Sequence, residues 1–231
     1  MTRPILMYHA VDNRHDPMRI QVTPARFRRQ LRTLRQLGFR GVSVRELLAA
    51  GPADRLVGLT FDDGYVDFAT IAAPILGEFG FTATSFVVGG LVGESNVWDP
   101  PPRRPLMSAA DVRLVHRLGH EVAAHGMYHR RLDDQRPTAE LVEEVADSKA
   151  LLEDLTQSEV VGFCYPYGVA GHDAVDVVRR LYRYGCAVTA RPLADQWTLP
   201  RFHVGEADNG WRLVAKLALN PLRQHRQRRS A

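Results

Sequence analysis

The sequence predicts one α/β domain built on a parallel β-sheet, open or closed. Short apolar runs alternate with amphipathic segments along the chain, and this alternation is typical of parallel strands joined by helices. The 231 residues contain neither an internal repeat nor a linker long enough to separate two domains. An apolar fraction of 45% is sufficient for a large core and argues against a disordered chain.

The first half of the chain begins with an apolar run, Ile5–Tyr8, which we interpret as a strand. Thr23 as N-cap and Pro24 at the first helical position then predict a helix that ends at Gly38. The elements predicted from there to residue 107 are a helix over 44–50, a strand over 56–61, a helix over 67–79, a strand over 82–88 and a loop over 89–107.

The second half begins with the capping-box pattern of Ser108 and Asp111, which predicts a helix ending at Gly119. The elements predicted after it are strands over 121–124 and 160–164, helices over 138–155 and 174–184, strands over 187–190 and 198–202, and a final helix over 211–219. We assign residues 1–208 to one domain and residues 209–231 to a C-terminal helix and basic tail.

The formal net charge of +4 is a property of the tail. From Asn209 onward the chain has six basic residues and no acidic ones, whereas residues 1–208 carry 24 basic and 26 acidic residues. A domain with this balance argues against nucleic acid as a partner. We interpret the tail as a solvated terminus, and a weak contact with an anionic membrane surface is the alternative.

Cysteine content and hydropathy indicate the compartment. Cys164 and Cys186 are too few for a disulfide framework or a cysteine-rich zinc site, so we expect two buried thiols. No apolar run reaches the roughly 18 residues of a membrane-spanning helix, and the apolar run near the start is too short for a signal peptide. We therefore predict a cytoplasmic protein without a transmembrane segment and leave its oligomeric state open.

Ionisable or special residues follow several of the predicted strands. The first strand leads to His9, the strand over 56–61 to Asp62 and Asp63, the strand over 121–124 to His125, and the strand over 160–164 to a Tyr-Pro-Tyr-Gly turn. Because the carboxyl ends of parallel strands share one face of the fold, we expect these residues to converge there.

The convergent residues have the chemistry of a catalytic metal site. His125 and His129 are four residues apart, which predicts that both imidazoles lie on one side of a helical turn. Two imidazoles and a carboxylate leave a tetrahedral ion one open position, as in catalytic zinc sites. Of Asp62 and Asp63, one can bind the ion while the other handles a proton. Each motif alone is also compatible with a solvated turn or an incidental histidine pair.

Three motifs together resemble a known family. The segments 60–64 (TFDDG), 125–129 (HGMYH) and 163–168 (FCYPYG) resemble the first three motifs of the polysaccharide deacetylases, the NodB homology domain of carbohydrate esterase family 4, and the resemblance spans residues 4–205. The segment 8–11 (YHAV) resembles the first motif of the circularly permuted branch that contains poly-N-acetylglucosamine deacetylases. The resemblance implies a distorted, TIM-like (β/α) barrel of about seven strands.

The resemblance also implies the reaction, which removes the acetyl group from an N-acetylated sugar or glycan by metal-activated water. The cofactor would be a divalent metal, usually Zn²⁺, although other transition metals also occur in the family. Its ligands would be Asp63, His125 and His129. Asp62 would act as the general base, and His9 would protonate the leaving amine as the general acid.

The substrate contacts implied by the resemblance are less sharply defined. The backbone N–H of Tyr167 would stabilise the oxyanion, and Pro166 lies in the same motif. Trp98 and Asp99 could line the sugar site, although a loop anchored by a buried tryptophan is an equal interpretation. Asp195 weakly resembles a later motif that orients the acid.

Two departures from the family pattern affect the site. Cys164 stands where the third motif often has an arginine that holds the base aspartate, and Arg201 is a candidate replacement because it also falls near a strand end. The late leucine-x-histidine motif is not evident, which leaves His203 as the alternative to His9 for the general acid.

Two other functions stay open at this point. One is a metal-dependent amidase that acts on a non-sugar C–N bond, and the other is a glycan-binding module that does not turn over. A binding module has no need for a base, a metal-ligand set and an acid together, so these residues favour an enzyme. The sequence does not indicate whether the glycan is free, nucleotide-linked, lipid-linked or polymeric.

Overall fold

The computed structural model describes residues 3–14, 18–51, 53–188 and 195–218. Every strand pairing in these ranges is parallel. The strands in chain order are β1 (Ile5–Tyr8), β2 (Ala10–Val11), β3 (Gln21–Val22), β4 (Arg40–Val42), β5 (Leu56–Phe61), β6 (Thr84–Val87), β7 (Glu121–Ala124), β8 (Gly162–Cys164), β9 (Tyr184–Ala187), β10 (Leu199–Pro200) and β11 (Phe202–His203).

Helices connect most of these strands. They are α1 (Pro24–Gln36), α2 (Val44–Ala49), α3 (Ala73–Phe79), α4 (Ala109–Arg117), α5 (Thr138–Val142), α6 (Ser148–Thr156) and α7 (His172–Leu181). A π-helical turn, Phe68–Ala72, precedes α3, a second one, Glu143–Asp147, joins α5 to α6, and a last helix covers 210–218. Among the helices of the described ranges, none has the length and apolar character to cross a bilayer.

The main sheet curls into a nearly closed barrel. Its strands follow the order β10-β9-β8-β7-β6-β5-β1-β11, and β4 pairs with the first half of β5. Only Arg201 separates β10 from β11, so one short segment pairs with β9 on one side and with β1 on the other. Counted as one strand, this segment completes a ring of seven, which confirms the predicted single distorted barrel.

Side-chain alternation sorts the core into an inner and an outer layer. An inner cluster takes residues from most of the barrel strands, among them Ile5, Phe86 and Cys186. The residues next to them in sequence pack in a larger cluster with the helices outside, as Leu6 and Val87 do. Because side chains alternate along a strand, a polar residue that continues the inward-facing series just past a strand end faces the barrel mouth.

Local capping sets the helix starts that the sequence predicted. Thr23 accepts a hydrogen bond from Arg26 N, with Pro24 in the first turn. Ser108 and Asp111 form a complete capping box at the start of α4. These contacts satisfy backbone N–H groups that have no partner inside the helix.

Two predicted boundaries near the end of the chain are wrong. The predicted helix over 174–184 ends at Leu181, and the strand predicted over 187–190 begins at Tyr184. Pairing with β8 and burial of the Tyr184 side chain inside the barrel override the helical pattern. The predicted positions 189 and 190 lie outside the described residues.

Two further helices differ in detail from the sequence prediction. The long helix predicted over 138–155 is interrupted by the turn Glu143–Asp147, which adds a residue to one helical turn. The final helix predicted over 211–219 covers 210–218, while residue 219 and the basic tail lie outside the described residues.

Candidate active site

The carboxyl ends of the barrel strands bring the predicted catalytic residues together. Asp63 Oδ1 lies 3.4 Å from His125 Nε2 and 3.4 Å from His129 Nε2. His9 Nε2 lies 3.9 Å from Asp62 Oδ2. All of these side chains except that of the partly buried His9 are buried, so the group lies at the bottom of the barrel mouth.

The donor atoms of Asp63, His125 and His129 fit a tetrahedral metal ion. Zinc–nitrogen and zinc–oxygen bonds of about 2.0–2.1 Å place neighbouring donors about 3.3 Å apart in a tetrahedron. The two 3.4 Å separations match this edge, and all three donor atoms lie within 4.8 Å of one another. A carboxylate and two imidazoles also suit zinc and other divalent transition metals.

The two histidines are held in different ways. His125 Nδ1 lies 2.8 Å from Cys164 O, which accepts a hydrogen bond from the Nδ1–H and leaves the Nε2 lone pair free for a metal. His129 Nδ1 is buried and has no hydrogen-bond partner within the described part of the chain. Instead, its ring stacks on Trp98 with centroids 4.2 Å apart.

The loop that joins these histidines corrects one prediction. The segment after β7 is not a helical turn, since Gly126 and His129 have positive φ angles of 81° and 60°. Glu144 holds this loop by accepting hydrogen bonds from Met127 N at 3.0 Å and Tyr128 N at 3.1 Å. Sequence reasoning missed Glu144, although an acidic residue on the apolar side of a predicted helix was a signal.

Arg201 reaches Asp62, as the sequence predicted. Its Nη1 and Nη2 donate to Oδ1 at 2.6 Å and Oδ2 at 2.8 Å, and Nη2 lies 2.9 Å from Cys164 Sγ. Burial alone would raise the pKa of Asp62, but the charge and hydrogen bonds of Arg201 outweigh it and hold that pKa below its usual value. Asp62 is therefore a carboxylate at neutral pH.

A second group of potential metal ligands overlaps this pair. Asp62, His125 and Cys164 also have donor atoms within 4.8 Å of one another. The Arg201 guanidinium already contacts two of them and would repel a cation. Burial also raises the pKa of the Cys164 thiol, which disfavours the thiolate that binds metals. The group with Asp63 and His129 is therefore the better metal site.

His9 and His203 both lie at the mouth, with ring centroids 6.0 Å apart. His203 is exposed and is adjacent to Lys216, whose Nζ donates to the His203 carbonyl. Partial burial and the nearby His9 and Lys216 charges lower the pKa of His203. His9 Nε2 lies within ion-pair distance of Asp62 Oδ2, at 3.9 Å, so the geometry favours His9 for proton transfer.

The predicted substrate contacts surround His129. Trp98 is half-buried and presents one ring face to His129. Tyr167 is 53% exposed, has a positive φ of 58°, and places its ring centroid 4.7 Å from that of His129. Pro166 is buried behind it. Tyr167 therefore offers the more accessible aromatic surface.

Tyr65 is a further residue of this site that sequence reasoning missed. Burial together with the nearby Asp63 charge raises the pKa of Tyr65, which keeps its hydroxyl protonated close to that carboxylate. Asn96 Nδ2 lies 3.4 Å from the Tyr65 hydroxyl and donates to Asp99 Oδ2 at 2.8 Å. Asp99 is thus linked through Asn96 to the Tyr65 hydroxyl.

Asp195 lies away from the site, at the opposite edge of the barrel. Its carboxylate pairs with Arg179 Nη2 at 3.0 Å and accepts a hydrogen bond from Trp197 N at 2.9 Å. Gly185, at the start of β9, donates to Gln196 O, which places this segment at the amino ends of the strands. This corrects the prediction that Asp195 contacts substrate, because Asp195 precedes β10 and lies at the amino ends of the strands, whereas the catalytic residues follow their carboxyl ends.

The parallel barrel brings two imidazoles and a carboxylate together beside a second, buried aspartate, and the first three could hold a metal ion. The sequence model of the polysaccharide deacetylases matches residues 49–184. The chain belongs to the polysaccharide deacetylase family, which confirms the family prediction.

Individual relatives agree with this assignment. The chain is 25% identical over 194 residues to YxkH of Bacillus subtilis (strain 168), whose name describes it as a polysaccharide deacetylase. This alignment covers 82% of the chain but only 64% of the relative.

Two solved structures share the fold. The Streptococcus pyogenes deacetylase PplD in complex with acetate has a TM-score of 0.80 and 24% identity, covering 94% of this chain and 98% of that one. A de-N-acetylase from Aggregatibacter actinomycetemcomitans has a TM-score of 0.78 and 16% identity, covering 93% and 99%.

Proposed function

We propose that this protein is a metal-dependent N-deacetylase, which hydrolyses the acetamide of an N-acetylated sugar or glycan to acetate and a free amine. The convergence of Asp63, His125 and His129 next to the Arg201-bound Asp62 carries the proposal. The family membership supports it. The descriptions of two proteins with this fold, a deacetylase complexed with acetate and a de-N-acetylase, are consistent with it.

Asp63, His125 and His129 would hold the metal, most simply Zn²⁺. When bound, such an ion would lower the pKa of water to about 7 and polarise a carbonyl group. The hydrogen bond from His125 Nδ1 to Cys164 O keeps the Nε2 lone pair directed at the site.

The proton transfers fall to Asp62 and His9. Asp62, kept ionised by Arg201, accepts a proton from the attacking water as the water oxygen bonds to the acetyl carbon. His9 donates a proton to the sugar nitrogen as the C–N bond breaks, which releases the product as an amine. The backbone N–H of Tyr167 donates to the carbonyl oxygen while negative charge develops on it.

Substrate orientation would depend on the exposed Tyr167 ring. Because one face of Trp98 is already covered by His129, Tyr167 is the better platform for a pyranose ring. Asp99 lies beside the same opening and could accept a hydrogen bond from a sugar hydroxyl.

Acetate release tests the proposal directly. The metal-free protein would be incubated with N-acetylated monosaccharides, nucleotide sugars and N-acetylglucosamine oligomers, with and without added Zn²⁺. We expect metal-dependent release from at least one sugar class and none from Asp62→Asn, which should still bind metal. Zn²⁺-dependent cleavage confined to non-sugar amides would support the amidase alternative, and no turnover of any amide would contradict the proposal.

A further inference from the structure

Glu144 is a buried carboxylate close to the metal-ligand residues, and none of the proposed chemical steps uses it. It lies on the π-helical turn between α5 and α6 and has 0% exposure. Besides Met127 N and Tyr128 N, its Oε2 lies 3.5 Å from Arg130 N. One side chain thus binds backbone N–H groups on both sides of His129.

The opposite side of the same loop is held by backbone groups. Gly89 N donates to Gly126 O at 2.9 Å, and Gly90 N donates to Met127 O at 2.9 Å. The loop carbonyls are therefore bound by the segment after β6, while the loop N–H groups are bound by Glu144. Without Glu144, buried N–H groups would lose their acceptor, which favours a different loop path.

His129 depends on this loop more than His125 does. His125 follows directly from β7, and its Nδ1 is bound to the carbonyl of Cys164. For His129, the described residues supply no hydrogen bond to Nδ1, and its positive φ of 60° is unfavourable for an isolated residue. The loop backbone and the Trp98 ring therefore determine where His129 Nε2 lies.

We propose that Glu144 is a positioning residue for the metal, which holds the backbone around His129 so that Nε2 meets the other two ligands. The inference rests on the metal site of the proposed function. The π-helical turn contributes to this positioning, because it places Glu144 on the face of the helix that points at the loop.

Metal affinity tests this role without reference to turnover. Co²⁺ would be titrated into the metal-free protein while its visible absorption reports the ligand geometry. Removal of an outer partner of a metal ligand typically weakens affinity about 10–100-fold, and we expect this range for Glu144→Ala together with an altered spectrum. Glu144→Gln keeps one acceptor oxygen, so we expect a smaller loss, between the wild type and the alanine variant.

The neighbouring Glu143 provides the matched control. It is partly exposed and pairs with the Arg130 side chain at 2.7 Å, so Glu143→Ala should leave the Co²⁺ affinity within about twofold of wild type. Circular dichroism and thermal melting of the metal-free proteins would establish that each variant is folded.

Two results would count against the inference in different ways. Unchanged Co²⁺ affinity and spectrum in folded Glu144→Ala, or in Glu144→Gln if the alanine variant does not fold, would overturn the role of Glu144 alone. Wild-type Co²⁺ binding that survives His125→Ala would contradict the metal assignment itself, and the inference with it.

Discussion

At the scale of single residues, the Asp62 carboxylate is held by the guanidinium of Arg201, a residue distant in sequence. Arg201 lies 139 positions later in sequence, between β10 and β11, and makes two parallel hydrogen bonds to the carboxylate. Both side chains are almost fully buried. A pair of this kind fixes the orientation of the base, and it is costly to break because an unpaired charge would stay buried.

Replacement of Arg201 by lysine should therefore destabilise the fold. Lysine keeps the charge but cannot form the two parallel hydrogen bonds, and loss of a charged hydrogen bond costs about 1.5–3 kcal/mol. Urea denaturation should show a decrease of this size for Arg201→Lys. The exposed pair of Arg28 and Glu78 is the control, since Arg28→Lys should leave the unfolding free energy nearly unchanged. Equal losses in the two variants would contradict the role of burial.

His9 is the residue whose substitution separates the two candidate acids. General acid catalysis contributes about 10²–10⁴-fold, so His9→Ala should lower kcat for an unactivated acetamide by this factor. His203→Ala should lower kcat by less than about tenfold, since His203 is exposed and its ring centroid lies 6.0 Å from that of His9. The reverse order in acetate-release rates would assign the acid to His203.

At the scale of elements, strand ends were predictable and loop paths were not. The alternation of inward and outward side chains along β5 and β7 places Asp62 and His125 at the barrel mouth once the strands are parallel. The path of the loop after β7 is instead set by contacts with residues distant in sequence. Its path depends on Glu144, 17 positions away from Met127, and on backbone groups after β6, so local spacing misled the helical prediction.

The capping box of α4 allows an element-level test. Ser108 Oγ accepts a hydrogen bond from Asp111 N, and loss of an N-cap side chain costs about 1 kcal/mol. Ser108→Ala should lower the unfolding free energy by about this amount in urea denaturation, whereas Ser108→Asp, which keeps an acceptor, should restore most of it. No difference between the two variants would contradict the contribution of the cap.

At the scale of the whole molecule, the stability of the fold should depend on pH through buried titratable groups. Burial lowers the pKa of His120 to about 4, and its ring packs edge-on against Phe68. Burial likewise raises the pKa of Asp67 to about 6, and the charge of Asp12 adds to the increase. Both groups titrate differently in the unfolded chain, where histidine has a pKa near 6.5 and aspartate near 3.9.

The two groups act in opposite directions as the pH falls. Between pH 6.5 and 4 the unfolded chain binds a proton at His120 that the folded protein does not, so the free energy of unfolding decreases. Asp67 binds its proton in the folded protein between pH 6 and about 4, so it stabilises the fold as the pH falls.

Removal of His120 should therefore flatten the pH dependence of stability. We expect the loss of unfolding free energy between pH 7 and 4.5 to be smaller in His120→Asn than in wild type, by about 1–3 kcal/mol. Asp67→Asn should have the opposite effect and steepen the loss. Urea denaturation at several pH values measures both slopes, and parallel curves for wild type and His120→Asn would contradict the prediction.

Sequence patterns were enough to predict the fold class, the parallel strands and the residues at their carboxyl ends. These follow from periodicity, capping and the shared edge of parallel strands, which are properties of short segments. The sequence also indicated, through the missing motif arginine, that Asp62 needed another cation, and Arg201 was the candidate.

Which side chains actually meet became clear only from the three-dimensional arrangement. Arg201 contacts Asp62, Glu144 holds the loop of the metal ligands, and Asp195 lies at the opposite edge of the barrel. The structure also moved the start of β9 back to Tyr184. The physical reason is common to all of these: each depends on burial or contacts between segments distant in sequence, and such contacts override the local preferences that a sequence pattern records.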